Sequence, residues 1–406
     1  MRVLFTTPVL EHPPAGGPPL RIENSIKALS RVCQLDIIHR AYKQTPETDA
    51  TDMFYRGYAE KYTTIYSSIP NPSHSKHHSR FRRLVDRIFK KTVLRHASFI
   101  LDHVDRRQID VVWFGYGNIS YSLIREVKKR RPKLQVVCDT DSIWSRFVLR
   151  ELPYAKGLRK LTIFFSGFIK KIEERNWVNM CDVTAAVSEV DAGYYRDLSK
   201  NAQKVHIFSN VIDVESYATP MAAPINFKKP SVYLAGTFGH YHSPMDTAAR
   251  WMLEDVLPIV WAIKPDVHFY IVGRNSDKGF GHLNGPNITV TGKLESVLPY
   301  LKNTDIAVVP LMFESGTRFK ILEAGACKVP IVSTTLGAEG IPVKDGEHIL
   351  LADTPEDFAR SILRLFEDER LAHGLAENCH NLVNKTFSVE ALAGEAIEIL
   401  EYLRHD

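Results

Sequence analysis

The chain has 406 residues, 44% of them hydrophobic and 24% charged, a folded-protein composition in a chain too long for one ordinary core, so two domains are expected. A net charge of +5 excludes a protein that coats nucleic acid, and no nucleic-acid partner is expected. The cysteines Cys33, Cys138, Cys181, Cys327 and Cys379 are scattered, without the paired spacing of zinc or redox sites, and read as reduced and packed.

Short β-branched runs alternate with helical patterns along the whole chain, the signature of α/β domains with parallel, doubly wound sheets. In the first half the runs predict strands at Val3–Thr6, Leu35–His39, Val111–Phe114, Val136–Asp139, Val183–Val187 and Val205–Phe208, with helices that include Ile22–Val32 and Ser120–Arg130. In the second half SVYLAG, VHFYIVG, ITVTG, IAVVP, PIVST and HILLA predict strands, separated by helices over Ala248–Ile263, Leu294–Lys302 and Lys320–Ala326. The segment Asp213–Pro230, with its prolines and little periodicity, reads as a linker. The expected division is therefore 1–215 for a first domain and 216–387 for a second, with 388–406 an amphipathic helix packing back on the first. Ligand is expected in a cleft between the two, on loops that follow the strands.

No stretch approaches the roughly 20 apolar residues of a membrane span, and MRVLFTTPVLEHPP sets a β-like run where a signal peptide carries its apolar segment, so a cytoplasmic protein is expected. Residues 76–95 hold eight Lys or Arg against Asp86, with apolar residues at roughly helical spacing, and a second basic-apolar patch follows over 158–175. A charge run is ordinarily a solvated face. The pairing of the two patches in one domain points instead to peripheral contact with an anionic membrane at the inner face of the plasma membrane, or to an acceptor surface.

The segment FESGTRFKILEAGACKVPIVSTTLGAEGI, Phe313–Ile341, carries most of the chemistry. It follows a buried-looking strand, passes through a loop containing Gly316 and enters a helix near Phe319. Free N–H groups and the positive dipole end at a helix start suit a phosphate, and Arg318 and Lys320 add fixed positive charge there. Glu323, about one turn on, is placed to accept hydrogen bonds from vicinal hydroxyls such as those of ribose. The competing reading is a plain helix start with a solvated Glu323.

This segment resembles the donor-binding signature of the family 4 retaining glycosyltransferases, which have the GT-B architecture of two facing Rossmann-like domains. In that family two glutamates with seven residues between them flank the donor site, whereas Glu314 and Glu323 have eight. The loop is closer to a branch reading Gly-Thr-Arg-x-Lys-Ile-Leu-Glu, matched by Gly316, Thr317, Arg318, Lys320, Ile321, Leu322 and Glu323, so the match rests on Glu323 rather than on Glu314. The resemblance extends over nearly the whole chain. Ser231–Pro258 is similar to the first strand, glycine loop and helix of the family's C-terminal domain, with Gly236 and Thr237 in the loop. His268–Ser276, with Arg274, is similar to its second strand, and Val290–Leu294, with Thr291 and Gly292, to the loop facing the nucleotide base. The Arg and Lys that many relatives carry after the first strand are replaced here by Thr237–Ser243, which leaves Arg318 and Lys320 as cations for the diphosphate. By the same resemblance Glu314, Ser315, Gly316 and Thr317 are donor-binding.

In the first half, Pro13–Arg21 has Gly16 and Gly17 where backbone approaches a ligand closely, or simply turns, and resembles the family's glycine loop over sugar and phosphates. Val137–Phe147 resembles the stretch lining the sugar pocket, with Asp141 where a His usually stands. Its Asp139-Thr140-Asp141 triplet also fits an Asp-x-Asp metal site of a metal-dependent transferase, or helix capping by Asp141 or Ser142. Ser188 and Asn210 resemble family positions at the end of the first domain and read as structural first. His12, His240 and His242 lie on loops where they could touch substrate.

The resemblance implies transfer of a sugar, with retention, from a nucleotide-sugar to a glycan or lipid-linked acceptor of the cell-surface polysaccharide or lipopolysaccharide type. Asp141, Arg318, Lys320 and Glu323 are the expected catalytic residues, and no metal or other cofactor is expected. A nucleotide-sugar-binding protein with little turnover is the reading from another class. A dehydrogenase does not fit, because no G-x-G-x-x-G follows the first strand.

Overall fold

The structure, a computed structural model, describes residues 1–14, 16–66, 79–239, 243–314, 316 and 318–405, and, of Pro46 and residues 79–89, the backbone alone. It divides into two compact units, the first formed by Met1–Val148, Lys156–Asn210 and Val389–Asp406, the second by Leu149–Ala155 and Val211–Ser388. Each unit holds one wholly parallel sheet with helical connections, the Rossmann-like pairing of the GT-B class.

The sheet of the first unit contains β1 (Arg2–Thr7), β2 (Gln34–Ala41), β3 (Lys61–Tyr66), β4 (Val111–Phe114), β5 (Gln135–Asp139), β6 (Val183–Ala186) and β7 (Val205–Ile207), in the order β3-β2-β1-β4-β5-β6-β7. Its central strands are buried on both faces, as a parallel sheet covered by helices requires, and Val3, Leu4, Phe5 and all of β4 have no exposed surface. Asp36, in β2, is an exception to an apolar core. Its carboxylate accepts from His103 Nε2 at 2.7 Å and from Arg107 Nε at 2.9 Å, and these bonds hold its pKa down against burial, which pushes it up.

Edge strand β3 was not among the strands expected from the sequence. Lys61–Tyr66 has no continuous apolar run, its Tyr and Ile residues being broken up by Lys61, Thr63 and Thr64, and two of its side chains, Tyr62 and Thr64, donate to Asp52 of the helix Pro46–Tyr55 at 2.6 and 2.5 Å. The first helix begins earlier than its apolar pattern, at Gly17, because Pro18 and Pro19 occupy its first turn, where the absent N–H costs nothing. The last helix, Val389–His405, packs along the helix Gly17–Val32, and Glu395 accepts from the backbone N and Oγ of Ser209, both at 2.7 Å.

The second unit's sheet contains β8 (Ser231–Ala235), β9 (His268–Val272), β10 (Ile288–Val290), β11 (Ile306–Val309), β12 (Ile331–Ser333) and β13 (Leu350–Leu351), in the order β10-β9-β8-β11-β12-β13. The helix expected over Ala248–Ile263 runs from Pro244 and widens into a π turn at Met252–Val256, just before Pro258, whose ring nitrogen cannot donate to the preceding turn. The helix expected over Leu294–Lys302 shrinks to Leu298–Leu301, with Pro299 at its start. Asp213–Pro230 is not a free linker: Lys302 Nζ donates to the carbonyls of Tyr217, at 2.6 Å, and Thr219, and Tyr217 is buried.

Candidate functional site

Strand order in the second unit reverses direction between β8 and β11, so the loops that follow these two strands diverge and leave a crevice at the carboxyl ends, where open parallel sheets bind ligands. The loop after β8 is held close to that after β9. Gly236 N donates to Val272 O at 3.0 Å, and Gly273, at φ +124°, lies so near Gly236 O that a Cβ would stand 2.2 Å from it. Thr237 is exposed at the mouth of this loop, and His240 and His242 lie outside the described residues. Arg274 is exposed, whereas Thr291 Oγ1 accepts from Gly273 N at 3.2 Å and Gly292 N donates to Ser276 Oγ at 2.9 Å.

The loop after β11 runs from Pro310 to the helix Phe319–Ala326. Ser315 and Thr317 lie outside the described residues. Gly316 is buried and takes φ +82°, a conformation that disfavours a side chain, and Arg318 occupies the helix N-cap with an extended backbone. Its guanidinium is buried, at 5% exposure for the residue, and Lys320, the second residue of the same helix, is half-buried.

Burial lowers the pKa of Lys320, with Glu314 and Glu323 acting against it and Arg318 adding to it. Burial likewise raises the pKa of Glu323, opposed by Tyr217, whose hydroxyl donates to Oε1 at 3.1 Å, and by Lys320. The side chains of Arg318, Lys320, Glu314 and Glu323 thus share a poorly solvated helix start, whose free N–H groups and positive dipole end suit an anionic ligand.

One element of this site has no sequence signal. The segment Leu149–Ala155, flanked on both sides by first-unit residues, belongs to the second unit, and Arg150 fastens the loop after β11. Its guanidinium donates to Glu314 O at 2.7 Å and to both carboxylate oxygens of Glu339 at 2.9 and 2.7 Å. Glu339 lies in the loop after β12, where Gly337 packs so tightly that a Cβ would be 2.3 Å from Val309 O. Arg150 therefore ties the loops after β11 and β12 together and pairs with Glu339.

In the first unit, order reverses between β1 and β4. Gly16 takes φ +99° just before the helix that starts at Gly17. Asp141, half-buried on the loop after β5, accepts from Asn118 Nδ2 and from Trp144 Nε1, the latter at 3.4 Å. Asp139 is fully buried and ion-paired with Arg21, which also donates to Asn210 Oδ1 at 2.7 Å and Phe208 O at 3.0 Å. This overturns the reading of Asp139 and Asp141 as a metal-holding pair, since one of the two is sealed in the core against a cation. It also fixes Asn210 as structural, and Ser188 caps its helix by accepting from Asp191 N at 3.2 Å.

Residues 232–368 match the family model described as glycosyl transferases group 1. The matched residues lie wholly within the second unit. Over 144 residues the chain is 28% identical to the lipopolysaccharide core biosynthesis glycosyltransferase LpsE of Rhizobium meliloti, a match covering 34% of this chain and 42% of LpsE, less than half that relative's length. Over 303 residues it is 23% identical to an uncharacterised 44.6 kDa protein in the cps region of Klebsiella pneumoniae, covering 66% and 74%. In fold it resembles HepE of Anabaena, solved with UDP and glucose, at a TM-score of 0.66 and 14% identity over 99% of both chains. It also resembles the sucrose-phosphate synthase of Thermosynechococcus elongatus, at 0.70 and 16% over the full length of both.

Proposed function

We propose that the protein transfers a sugar, with retention of anomeric configuration, from a nucleotide-sugar to a glycan or lipid-linked acceptor in polysaccharide or lipopolysaccharide biosynthesis. The observation that carries this reading is the pair Arg318 and Lys320 at the start of the helix Phe319–Ala326, on the switch-point loop of the domain matched to group 1 transferases. The donor diphosphate lies against these cations, which stabilise the negative charge that grows on it as the glycosidic bond breaks. Glu323, steadied by the Tyr217 hydroxyl, receives the ribose hydroxyls. In the first unit, Gly16 and Gly17 stand at the glycine-loop positions of the family resemblance and Asp141, fixed by Asn118, at its sugar-lining position. The leaving-group charge is met by these side chains in a metal-independent reaction.

The names of the relatives support the acceptor class, because LpsE is described as acting in lipopolysaccharide core biosynthesis. A membrane-facing surface supports it physically. Among the described residues no helix is long and apolar enough to cross a bilayer, but the helix Leu158–Met180 exposes a stripe of Leu158, Leu161, Phe165, Phe168 and Ile172, with Phe165 61% exposed. Arg159, Lys160, Lys171 and Arg175 are exposed beside the stripe, the pattern of a helix that lies in the plane of an anionic bilayer. Of the other patch, residues 76–78 and the side chains of 79–89 lie outside the described set. Phe165→Glu is expected to abolish co-sedimentation with phosphatidylglycerol-containing vesicles; wild-type protein that stays in the supernatant refutes membrane contact.

The test of the transfer reading is thermal shift and donor hydrolysis across UDP-, GDP- and ADP-sugars, with and without EDTA, on wild type, Lys320→Ala and Glu323→Ala. One donor stabilising and turning over regardless of EDTA, with both variants impaired, is the expected result. Stabilisation without any turnover identifies a binding protein instead, and metal-dependent activity that survives both changes shows that the donor site lies elsewhere.

A further inference from the structure

The carboxyl edge of the first unit's sheet carries a group of basic side chains that the donor chemistry does not use. Arg40 is the penultimate residue of β2, and Ser120, in the connection after β4, is the N-cap of the helix Tyr121–Arg130. Arg40 Nη2 donates to Ser120 Oγ at 2.7 Å, bridging from β2 to the connection after β4, the two strands that flank β1. Beside them, on the helix Ser79–Arg107, lie Arg95, which donates to the carbonyl of Tyr66 at the end of β3, and His96, whose pKa burial, Arg40 and Arg95 all push down. All four residues belong to the first unit.

The group lacks a counter-charge. Among the described residues no carboxylate pairs with Arg40, Arg95 or His96, and burial pushes the pKa of Arg40 down to about 9 with no acid acting against it. Arg40 Nε and His96 Nε2 are buried without a hydrogen-bond partner among the described residues, and His96 is only 6% exposed. Ser120 gives its side chain to Arg40, so the helix Tyr121–Arg130 starts without a side-chain cap and adds its positive dipole end to the same place. Buried donors gathered without an acid are satisfied by an anion that accepts from several of them at once, and a phosphoryl group does this with up to three oxygens.

The surroundings bear on what carries that group. The helix Tyr121–Arg130 packs against both Ser79–Arg107 and Leu158–Met180. The latter precedes β6 and ends at the amino edge of the sheet, so its first half, with the exposed Leu158, Leu161 and Phe165, runs toward the carboxyl edge, where Arg40 and Ser120 lie. A cationic site and an apolar surface therefore share one end of the unit, matching the headgroup and tail of a lipid phosphate.

We propose that Arg40, Arg95, His96 and Ser120 bind a phosphate or diphosphate group, and that this group belongs to the acceptor; the second clause rests on the transfer reading above. The apolar stripe favours a lipid carrier over a water-soluble phosphorylated glycan.

The experiment follows the His96 ring resonance, assigned by its loss in His96→Gln, in protein with isotope-labelled histidines titrated with inorganic pyrophosphate and, separately, with farnesyl diphosphate. The resonance is expected to shift saturably with both probes in wild type and equally in Lys320→Ala, whose change lies in the other unit. Arg40→Gln should weaken both titrations by at least about tenfold, the worth of a charge-assisted hydrogen bond to a phosphoryl oxygen. Arg95 is exposed, so Arg95→Gln, with a loss of about threefold, serves where Arg40→Gln does not fold. Farnesyl diphosphate binding at least about tenfold more tightly than pyrophosphate identifies a lipid carrier, and equal affinities identify a water-soluble one. A His96 resonance that neither probe moves, or a shift that persists undiminished in both arginine variants, overturns the site and leaves the transfer reading intact. A shift at His96 in protein that neither binds nor turns over any nucleotide-sugar overturns the transfer reading and the assignment to an acceptor, while the phosphoryl site stands.

Discussion

Arg150→Ala offers the sharpest test of the site, because the side chain makes three hydrogen bonds that all converge on ligand-facing loops: one to Glu314 O and two to Glu339. A net hydrogen bond involving a charged group contributes about 1.5–3 kcal/mol, but Arg150 is 25% and Glu339 23% exposed, so solvent screening reduces the set to an estimated total of about 2–3 kcal/mol. If half of that is spent on holding the loop after β11 in its ligand-ready form, donor affinity falls by about 1–1.5 kcal/mol, roughly tenfold. Calorimetric titration of the preferred nucleotide-sugar measures this directly, and urea unfolding measures the remainder as lost stability. Arg150→Lys should recover little, because an ammonium cannot span both carboxylate oxygens and the Glu314 carbonyl. Donor binding unchanged in Arg150→Ala, with stability alone reduced, refutes the claim that this residue organises the donor loop.

Two further predictions concern stability. Gly273→Ala places a Cβ 2.2 Å from Gly236 O at φ +124°, whereas Gly346→Ala, at φ +70°, meets nothing within 4 Å; the first should lose more than about 3 kcal/mol in urea unfolding and the second only about 1–2, the cost of the left-handed conformation. Equal losses in the two would show that the β8–β9 loops yield easily. Burial, assisted by Arg40 and Arg95, pushes the pKa of His96 down to about 4. The unfolded chain takes up the proton first as pH falls, so His96 contributes stability present above about pH 6.5 and lost as pH falls toward 4, roughly 3 kcal/mol at 1.36 kcal/mol per unit. His96→Gln should flatten the urea midpoint over that window, and an unchanged pH slope would show that His96 is protonated in the folded protein.

How much of this could be read from the sequence depends on whether a residue announces itself locally. Strands such as Val111–Phe114 and Ile306–Val309 are continuous apolar runs because both faces of a parallel sheet are covered, so composition alone marks them. β3 has no such mark, since it is held by polar bonds to Asp52 from another element. Arg318, Lys320 and Glu323 lie within eight residues of the loop after β11, and one local pattern reveals all three. Arg150 reaches Glu339 across 189 positions and Arg21 reaches Asp139 across 118, pairings that exist only once the chain is folded. For that reason the Asp139-Thr140-Asp141 triplet permitted a metal site on paper, although one of its two carboxylates is already committed in the core.

Glu323 shows the remaining gap between a residue's identity and its state. The sequence places a carboxylate one turn into a cationic helix, and on that basis alone the group would be solvated and ionised. The fold instead half-buries it, gives it the Tyr217 hydroxyl and sets Lys320 beside it, while burial shifts both titrating groups toward their neutral forms. A diphosphate arriving at Arg318 and Lys320 supplies the negative charge that favours the protonated lysine. Its ribose hydroxyls supply the donors that favour the ionised glutamate. Each half of the ligand thereby stabilises the charged form of the group it meets, and binding is favoured where empty-site burial had been costly. A ligand carrying only one of the two halves satisfies only one of the groups, so inorganic pyrophosphate and a free nucleoside should each bind far more weakly than the intact nucleoside diphosphate, by more than the loss of contact area accounts for.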